Sequence, residues 1–226
     1  MRRLEALIAL VPPSVQAVVD VGYDHGELLL SLARRRPELR LFGVERQPDA
    51  AGRLHARPAA RGLELDLRTG DGLLPLSPGE AQVAVLAGLG EIVIADLVAR
   101  DAERLAAPGR FVLCPNGLET MLRSSLRREG LRAVEETLVE DRGRFYEILA
   151  VEPEHSPEDA PADPLETLWG RGLWRDPLAG AFLDDIERRQ AGALASKELA
   201  RSDRPLARKL GSLRAARERL TKGGRS

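Results

Sequence analysis

Acidic residues and glycines recur at four places along the chain where they could surround a single ligand. The first is Asp20-Val21-Gly22-Tyr23-Asp24-His25-Gly26. Glycines after an apolar run let the backbone turn tightly and approach a ligand, and a following helix leaves its first N–H groups free to bind one. The spacing Gly22-x-Asp24-x-Gly26 is not the G-x-G-x-x-G of a dinucleotide loop. Asp24 would repel a pyrophosphate, whereas Asp20 and Asp24 together suit a cationic head. Glu45 closes a second apolar run, where a carboxylate can accept from both hydroxyls of a ribose. Gly70-Asp71-Gly72 sets an acid between glycines, open to an adenine amino group, although a D-G pair also makes a plain turn. Ala87-Gly88-Leu89-Gly90 offers small residues where two reactants must come within bonding distance. Each feature alone also fits a structural role. Their order along the chain points to an adenosine cofactor with a positively charged end.

The elements that must position these residues alternate short apolar runs with helical patterns from residue 17 to 151, the mark of a parallel sheet covered by helices on both faces. Strands are expected at 17–22, 40–45, 63–69, 82–87 and 110–114, with helices at 27–36, 49–60, 92–106 and 118–129. Residues 131–139 and 145–151 read as two more strands, joined by a link too short for a crossover helix and so antiparallel. The fold expected is α/β: a Rossmann-like sheet of five parallel strands and a terminal antiparallel pair. That is the seven-stranded sheet of methyltransferases that use S-adenosylmethionine. Met1–Val11 reads as an amphipathic helix.

Residues 152–164 hold four prolines and five carboxylates and read as a semi-rigid linker between a domain at 1–151 and a helical hairpin at 165–226. Helices are expected at 177–200 and 205–222. The second carries Leu206, Leu210, Leu213 and Leu220 on one stripe, with Arg204, Arg208, Arg219 and Lys222 on the opposite face. Charge divides the same way. Residues 1–170 hold 20 basic and 28 acidic side chains, whereas 171–226 hold 14 and 7. A basic tail suits a polyanionic partner, although a solvated helix pair gives the same pattern. One cysteine, Cys114, excludes an internal disulfide framework and a multi-cysteine zinc site. No run reaches the roughly 18–20 apolar residues of a membrane span, and a cytoplasmic location is expected.

From about Leu4 to Glu152, and more weakly through the tail, the chain resembles the bacterial tRNA (adenine-22 N1)-methyltransferases. Asp20 to His25 stands where that family has D-[IV]-G-S-D-H. Arg68-Thr69-Gly70-Asp71-Gly72-Leu73 matches R-x-G-D-G-L in full, and Ala87 to Glu91 stands for A-G-M-G-G. Leu113-Cys114-Pro115-Asn116 takes the place of L-Q-P-N, and Tyr146-Glu147-Ile148 that of Y-E-I. The resemblance implies S-adenosylmethionine as cofactor, tRNA as partner with no metal or membrane, and methyl transfer to adenine N1. It places the cofactor against Asp20, Gly22, Asp24, His25, Gly26, Glu45, Gly70, Asp71, Gly72, Ala87, Gly88, Leu89 and Gly90. Asn116 and Glu91 fall beside the acceptor. The tail is similar to the helical hairpin with which the family helps to hold tRNA, a contact that the basic face read above, Arg204, Arg208, Arg219 and Lys222, would make here. Asn116 either orients the base edge or caps the helix after it; Glu91 either caps a helix or accepts from an exocyclic amine. Tyr23, Glu91 and Cys114 depart from the family pattern. They keep open a different acceptor, or a homologue that binds RNA without turnover.

Overall fold

In the chain order of the computed structural model, valine-, leucine- and alanine-rich runs supply the strands β1 (Ala17–Val21), β2 (Arg40–Glu45), β3 (Asp66–Thr69), β4 (Val83–Gly90), β5 (Arg110–Asn116), β6 (Leu131–Asp141) and β7 (Arg144–Pro153). The residues described are 2–107, 109–117, 121–154, 163–194 and 204–223. The strands pair as one sheet in the order β3-β2-β1-β4-β5-β7-β6. β1 to β5 run parallel, and β7 enters antiparallel between β5 and β6. This is the expected sheet, with the terminal pair where the short link requires it.

Alternation along the buried strands divides the core between the two faces. Val18, Val83, Val85, Val112 and Cys114 meet the helices α1 (Arg2–Ala9), α2 (Glu27–Arg35) and α3 (Ala50–His55). Val19, Val21, Phe42, Ala84, Leu86 and Leu113 face α4 (Glu91–Asp101) and α5 (Leu122–Arg128). β1 and β4 lie side by side with their connections leaving in opposite directions. Beyond the carboxyl ends of such strands an α/β sheet opens a crevice.

Several element boundaries shift from expectation for local reasons. α3 stops at His55, because Arg57 before Pro58 takes an extended conformation (ψ 131°) and only a short 3-10 turn follows. β4 runs on through Gly90, so Glu91 opens α4 directly. The fifth helix starts at Leu122. The helix expected at 205–222 is two, α8 (Arg204–Gly211) and α9 (Leu213–Gly223). They are separated at Ser212, whose Oγ donates to the Lys209 carbonyl at 2.7 Å.

The tail also holds a helix that the composition concealed. α6 (Pro164–Trp169) follows Asp163, whose side chain accepts from the Leu165 N–H at 2.7 Å. Asp-Pro at the start of a helix is a capping arrangement, so the end of the presumed linker is the start of an element. α7 (Ala179–Leu194) and α9 then close on the leucine stripe, and with Trp169 and Phe182 they bury Leu138 and pack on Phe145 of the β6–β7 ribbon. The rest of the first expected helix, 195–200, lies outside the described residues.

Candidate functional site

Each strand of the parallel half ends at the same rim. Around it opens a cavity of about 610 Å³, lined by Asp20 to His25, Glu45, Gly70 to Gly72 and Ala87 to Leu89. The four sequence features therefore converge on one site.

The turn after β1 is built on three left-handed residues, Gly22 (φ 75°), Asp24 (φ 45°) and Gly26 (φ 70°). A side chain at Gly26 would collide with Leu54, its Cβ falling 2.6 Å from that side chain. Gly26 is thus required twice, for its φ and for the close approach of α3. The Gly22 N–H bonds the Val44 carbonyl at 2.8 Å, and Arg57 holds the far side of the turn through the His25 carbonyl and Glu27. Asp24 and His25 stand open to solvent, 3.5 Å apart. Tyr23, which replaces the family's serine, is buried in the core against β2.

Asp20 sits at the last interior position of β1, only 5% exposed. Burial, and secondarily the Glu45 carboxylate, push its pKa up to about 7. Glu45 is held in place at the end of β2, its Oε1 accepting from the N–H groups of Arg46 (2.8 Å) and Gln47 (3.3 Å).

Asp71 is oriented by a partner that the sequence did not disclose. Arg100 of α4 donates to its carboxylate at 2.7 Å and to its carbonyl at 3.1 Å. Arg100 also grips Asp101 at 2.8 and 2.7 Å, and Asp101, fully buried, accepts from the Leu73 N–H at 2.8 Å. This network passes directly over Gly72, where a Cβ would lie 2.2 Å from the Arg100 guanidinium. Gly72 (φ 58°) is therefore demanded by packing as well as by its backbone.

Asn116 and Glu91 do not line the cavity with the others. Asn116, opposite Gly90 in the β4–β5 register, donates its side-chain N–H to the Gly88 carbonyl and ties the two strand ends together. Among the described residues, the start of α5 is held by Glu91, whose Oε2 accepts from the N–H groups of Met121 (2.9 Å) and Leu122 (3.3 Å). Gly90, the last residue before α4, borders the rim without lining the cavity. Gly26 lies behind its turn rather than in the cavity wall, for the packing reason given above. Cys114 is buried and burial raises its thiol to about 11, so it is strand packing.

Sequence reasoning missed one whole side of the cavity. Arg3, Leu4 and Leu7 of α1, and Asp141 and Arg142 of the β6–β7 turn, close it from above. Arg3 lies 4.8 Å above the Tyr146 ring. The only sequence signal was the amphipathic pattern of α1, which shows that the helix packs but not over what.

In the tail, Arg204, Arg208 and Lys222 stand exposed. Arg219 corrects the expected outward face. It ion-pairs with Asp163 and with Glu166 (2.9 Å), and its guanidinium lies 4.5 Å above the Trp174 ring. The α9 stripe is buried against α7, and that packing turns Arg219 back toward α6.

An open parallel sheet with a nucleoside-sized crevice at its switch point, rimmed by acids at the ends of β1, β2 and β3, defines a Rossmann-like transferase. The chain belongs to the methyltransferase-domain family, which matches residues 1–149, and within it to the tRNA methyltransferases. It is 26% identical over 184 residues to the tRNA (adenine(22)-N(1))-methyltransferase of Bacillus subtilis (strain 168), covering 80% of this chain and 74% of that one. It is 35% identical over 159 residues to a Mycoplasma pneumoniae protein named "Putative tRNA methyltransferase", covering 67% and 70%. The structure of Streptococcus pneumoniae Sp1610 in complex with S-adenosyl-L-methionine superposes with a TM-score of 0.78 at 25% identity, covering 96% of this chain and 98% of that one.

Proposed function

We propose that this protein transfers the methyl group of S-adenosylmethionine to N1 of an adenine in tRNA, adenine 22 by likeness to its Bacillus subtilis relative. The observation that carries the reading is the convergence on one cavity of the acids at the ends of β1, β2 and β3, with the Asp20 carboxyl buried in its wall. The sulfonium and ammonium groups of the cofactor are cations. Asp20 and Asp24 would face them, Glu45 the ribose hydroxyls, and Asp71 the adenine amino group. The donor set and the size of the cavity both fit an adenosyl ligand.

When bound, S-adenosylmethionine supplies an electrophilic methyl group on sulfur. The protein's part is placement. Adenine N1 carries its own lone pair, so no strong base is needed, and holding the ring in line while excluding water lowers the barrier. Gly88 and Gly90 bring no side chain of their own to that position, although the Arg3 guanidinium reaches to Gly88, and the Asn116 bond to the Gly88 carbonyl holds the strand end. A buried adenine of folded tRNA must be extruded to reach it.

The two departures that favoured a different acceptor have structural occupations here. Tyr23 fills the core, and Glu91 caps α5. The decisive experiment is incubation of the protein with labelled S-adenosylmethionine and bulk tRNA, followed by nucleoside analysis. Label in 1-methyladenosine is the expected result. Label in another nucleoside would reassign the acceptor, and calorimetry without any heat of cofactor binding would refute the cofactor.

A further inference from the structure

Among the described residues, the large apolar side chains most open to solvent are Ile92 (63% exposed), Leu74 (52%), Val93 (49%) and Met121 (38%). Three of these four flank one place, the junction where β4 passes into α4. We propose that Ile92, Val93 and Met121 form the platform on which the extruded purine of the RNA lies, with its reactive edge turned toward the cofactor cavity. This inference rests on the methyl-transfer reading above.

Continuity with the cavity is the first support. Val93 belongs both to the exposed patch and to the cavity wall, so a flat ring on the patch borders the cofactor site. The patch is also built rather than incidental. Glu91, directly before Ile92, binds the N–H groups of Met121 and Leu122, fastening the start of α5 to the start of α4 and setting Met121 beside them. Between patch and cavity, Gly90 leaves open space where a Cβ would stand, and Gly88 (φ 82°) lets the Arg3 guanidinium approach, with the Leu89 side chain turned into the cavity wall.

Charge completes the fit. Two guanidinium groups border the same cavity: Arg3, 4.8 Å above the Tyr146 ring and reaching to Gly88, and Arg142, exposed at the β6–β7 turn. Phosphates flanking an extruded nucleotide would find these cations at the cavity while the base meets the apolar patch. An extruded base loses its stacking neighbours, and an aliphatic and thioether surface replaces them without reading sequence. A second copy of the chain has no such claim, because it would not need the patch to border the cavity.

The test uses the full chain carrying Ile92→Ser together with Met121→Ser (the serine pair), beside a control carrying Ile92→Leu together with Met121→Leu (the leucine pair). Cofactor affinity by calorimetry and kcat/KM for tRNA are measured together. The serine pair is expected to lose about tenfold or more in kcat/KM while cofactor affinity stays within about twofold, and the leucine pair to stay within about threefold of the parent. Serine variants that keep kcat/KM within about twofold overturn the platform. A parallel loss of cofactor affinity overturns it too, by making the patch part of the cofactor site, as does a parent dimer that the serine pair dissociates. A parent that moves no methyl group to tRNA fails the methyl-transfer reading itself. An active parent with indifferent variants sinks the platform alone.

Discussion

At the scale of single residues, Asp20 carries the most definite chemistry. Its carboxyl titrates near 7 in the folded chain against an ordinary 3.8. Between those values the folded state keeps a proton that the unfolded state has released. Stability from this group is therefore full below about pH 4, declines as pH rises toward 7, and stays low beyond. Asp20→Asn should raise stability at pH 8 on the order of 2–4 kcal/mol and leave it unchanged near pH 4, which urea titrations at the two values would read. The same substitution should weaken cofactor binding about tenfold or more, since a charge-assisted partner of the cation is lost. In the parent, cofactor affinity should climb with pH up to about 7 as the displaced proton becomes easier to lose. Calorimetry in buffers of different ionisation enthalpy would detect that proton; its absence would separate Asp20 from the cation. Asp71 offers a second case. Arg100 fixes its carboxylate at 2.7 Å, so Arg100→Leu should weaken cofactor binding about threefold to tenfold by loosening Asp71, and less than Asp71→Ala does. Equal affinity in Arg100→Leu and parent would show that Asp71 needs no such hold.

At the scale of elements, the junction of β4, α4, β5 and α5 borders the cavity, held by the Glu91 carboxylate and by the Asn116 bond to the Gly88 carbonyl. Glu91→Ala removes the acceptor for two N–H groups at the start of α5, a loss of about 1 kcal/mol, which in a chain of this size lowers Tm by roughly 2–4 °C. Cofactor affinity should be unchanged, and Glu91→Gln, which keeps an acceptor oxygen, should recover most of the Tm. A Glu91→Gln variant as stable as the parent but inactive would return this side chain to the chemistry. The strands and the acids at their ends were legible in the sequence because both are local: a buried run of Val and Leu has few alternatives, and a strand-end acid is adjacent to its strand. A capping role for Glu91 was among the readings of the sequence, but which helix it holds, and the Asn116 bond to Gly88, were not legible. Both depend on the register that sets Gly90 beside Asn116 and on β4 running to Gly90, which brings a side chain at the start of one helix to the start of another 31 positions on. Arg3 was hidden for the same reason: α1 is placed over the cavity by packing on β6 and β7, strands about 130 residues away, as well as on α2. α6 was hidden by composition, its Asp163-Pro164 start looking like the end of a proline-rich linker.

At the scale of the whole molecule, the tail is joined to the sheet by a buried charge cluster rather than by a hinge. Lys209, fully buried, lies 3.6 Å from Glu147 of β7 and 4.9 Å from the Trp169 ring, with Arg123 at 3.7 Å from the same carboxylate. Asp176 adds a bond to the Leu138 N–H on the edge strand at 2.8 Å, and Arg189 of α7 donates to the Gly143 carbonyl in the β6–β7 turn at 2.9 Å. That turn is the one that closes the cavity, so the basic surface and the cofactor site share one support. Lys209→Met should cost about 3 kcal/mol, the low end for a broken buried pair because Arg123 remains. Adding Glu147→Gln should restore much of it, and a single-variant loss below about 1 kcal/mol would mean the pair does not anchor the tail. With the support intact, the exposed cations can be tested by themselves. Arg204, Arg208 and Lys222 replaced together by alanine should weaken tRNA binding and flatten the slope of log affinity against log salt by about 2, because fewer counterions are displaced. Arg219 is absent from that set on purpose. Its guanidinium is committed to Asp163 and Glu166, so Arg219→Ala should lower Tm while leaving the salt slope in place. Fluorescence anisotropy of labelled tRNA across a salt series distinguishes the two variants. An unchanged slope in the triple variant would move the RNA contacts off the tail, to the Arg3 and Arg142 side of the cavity.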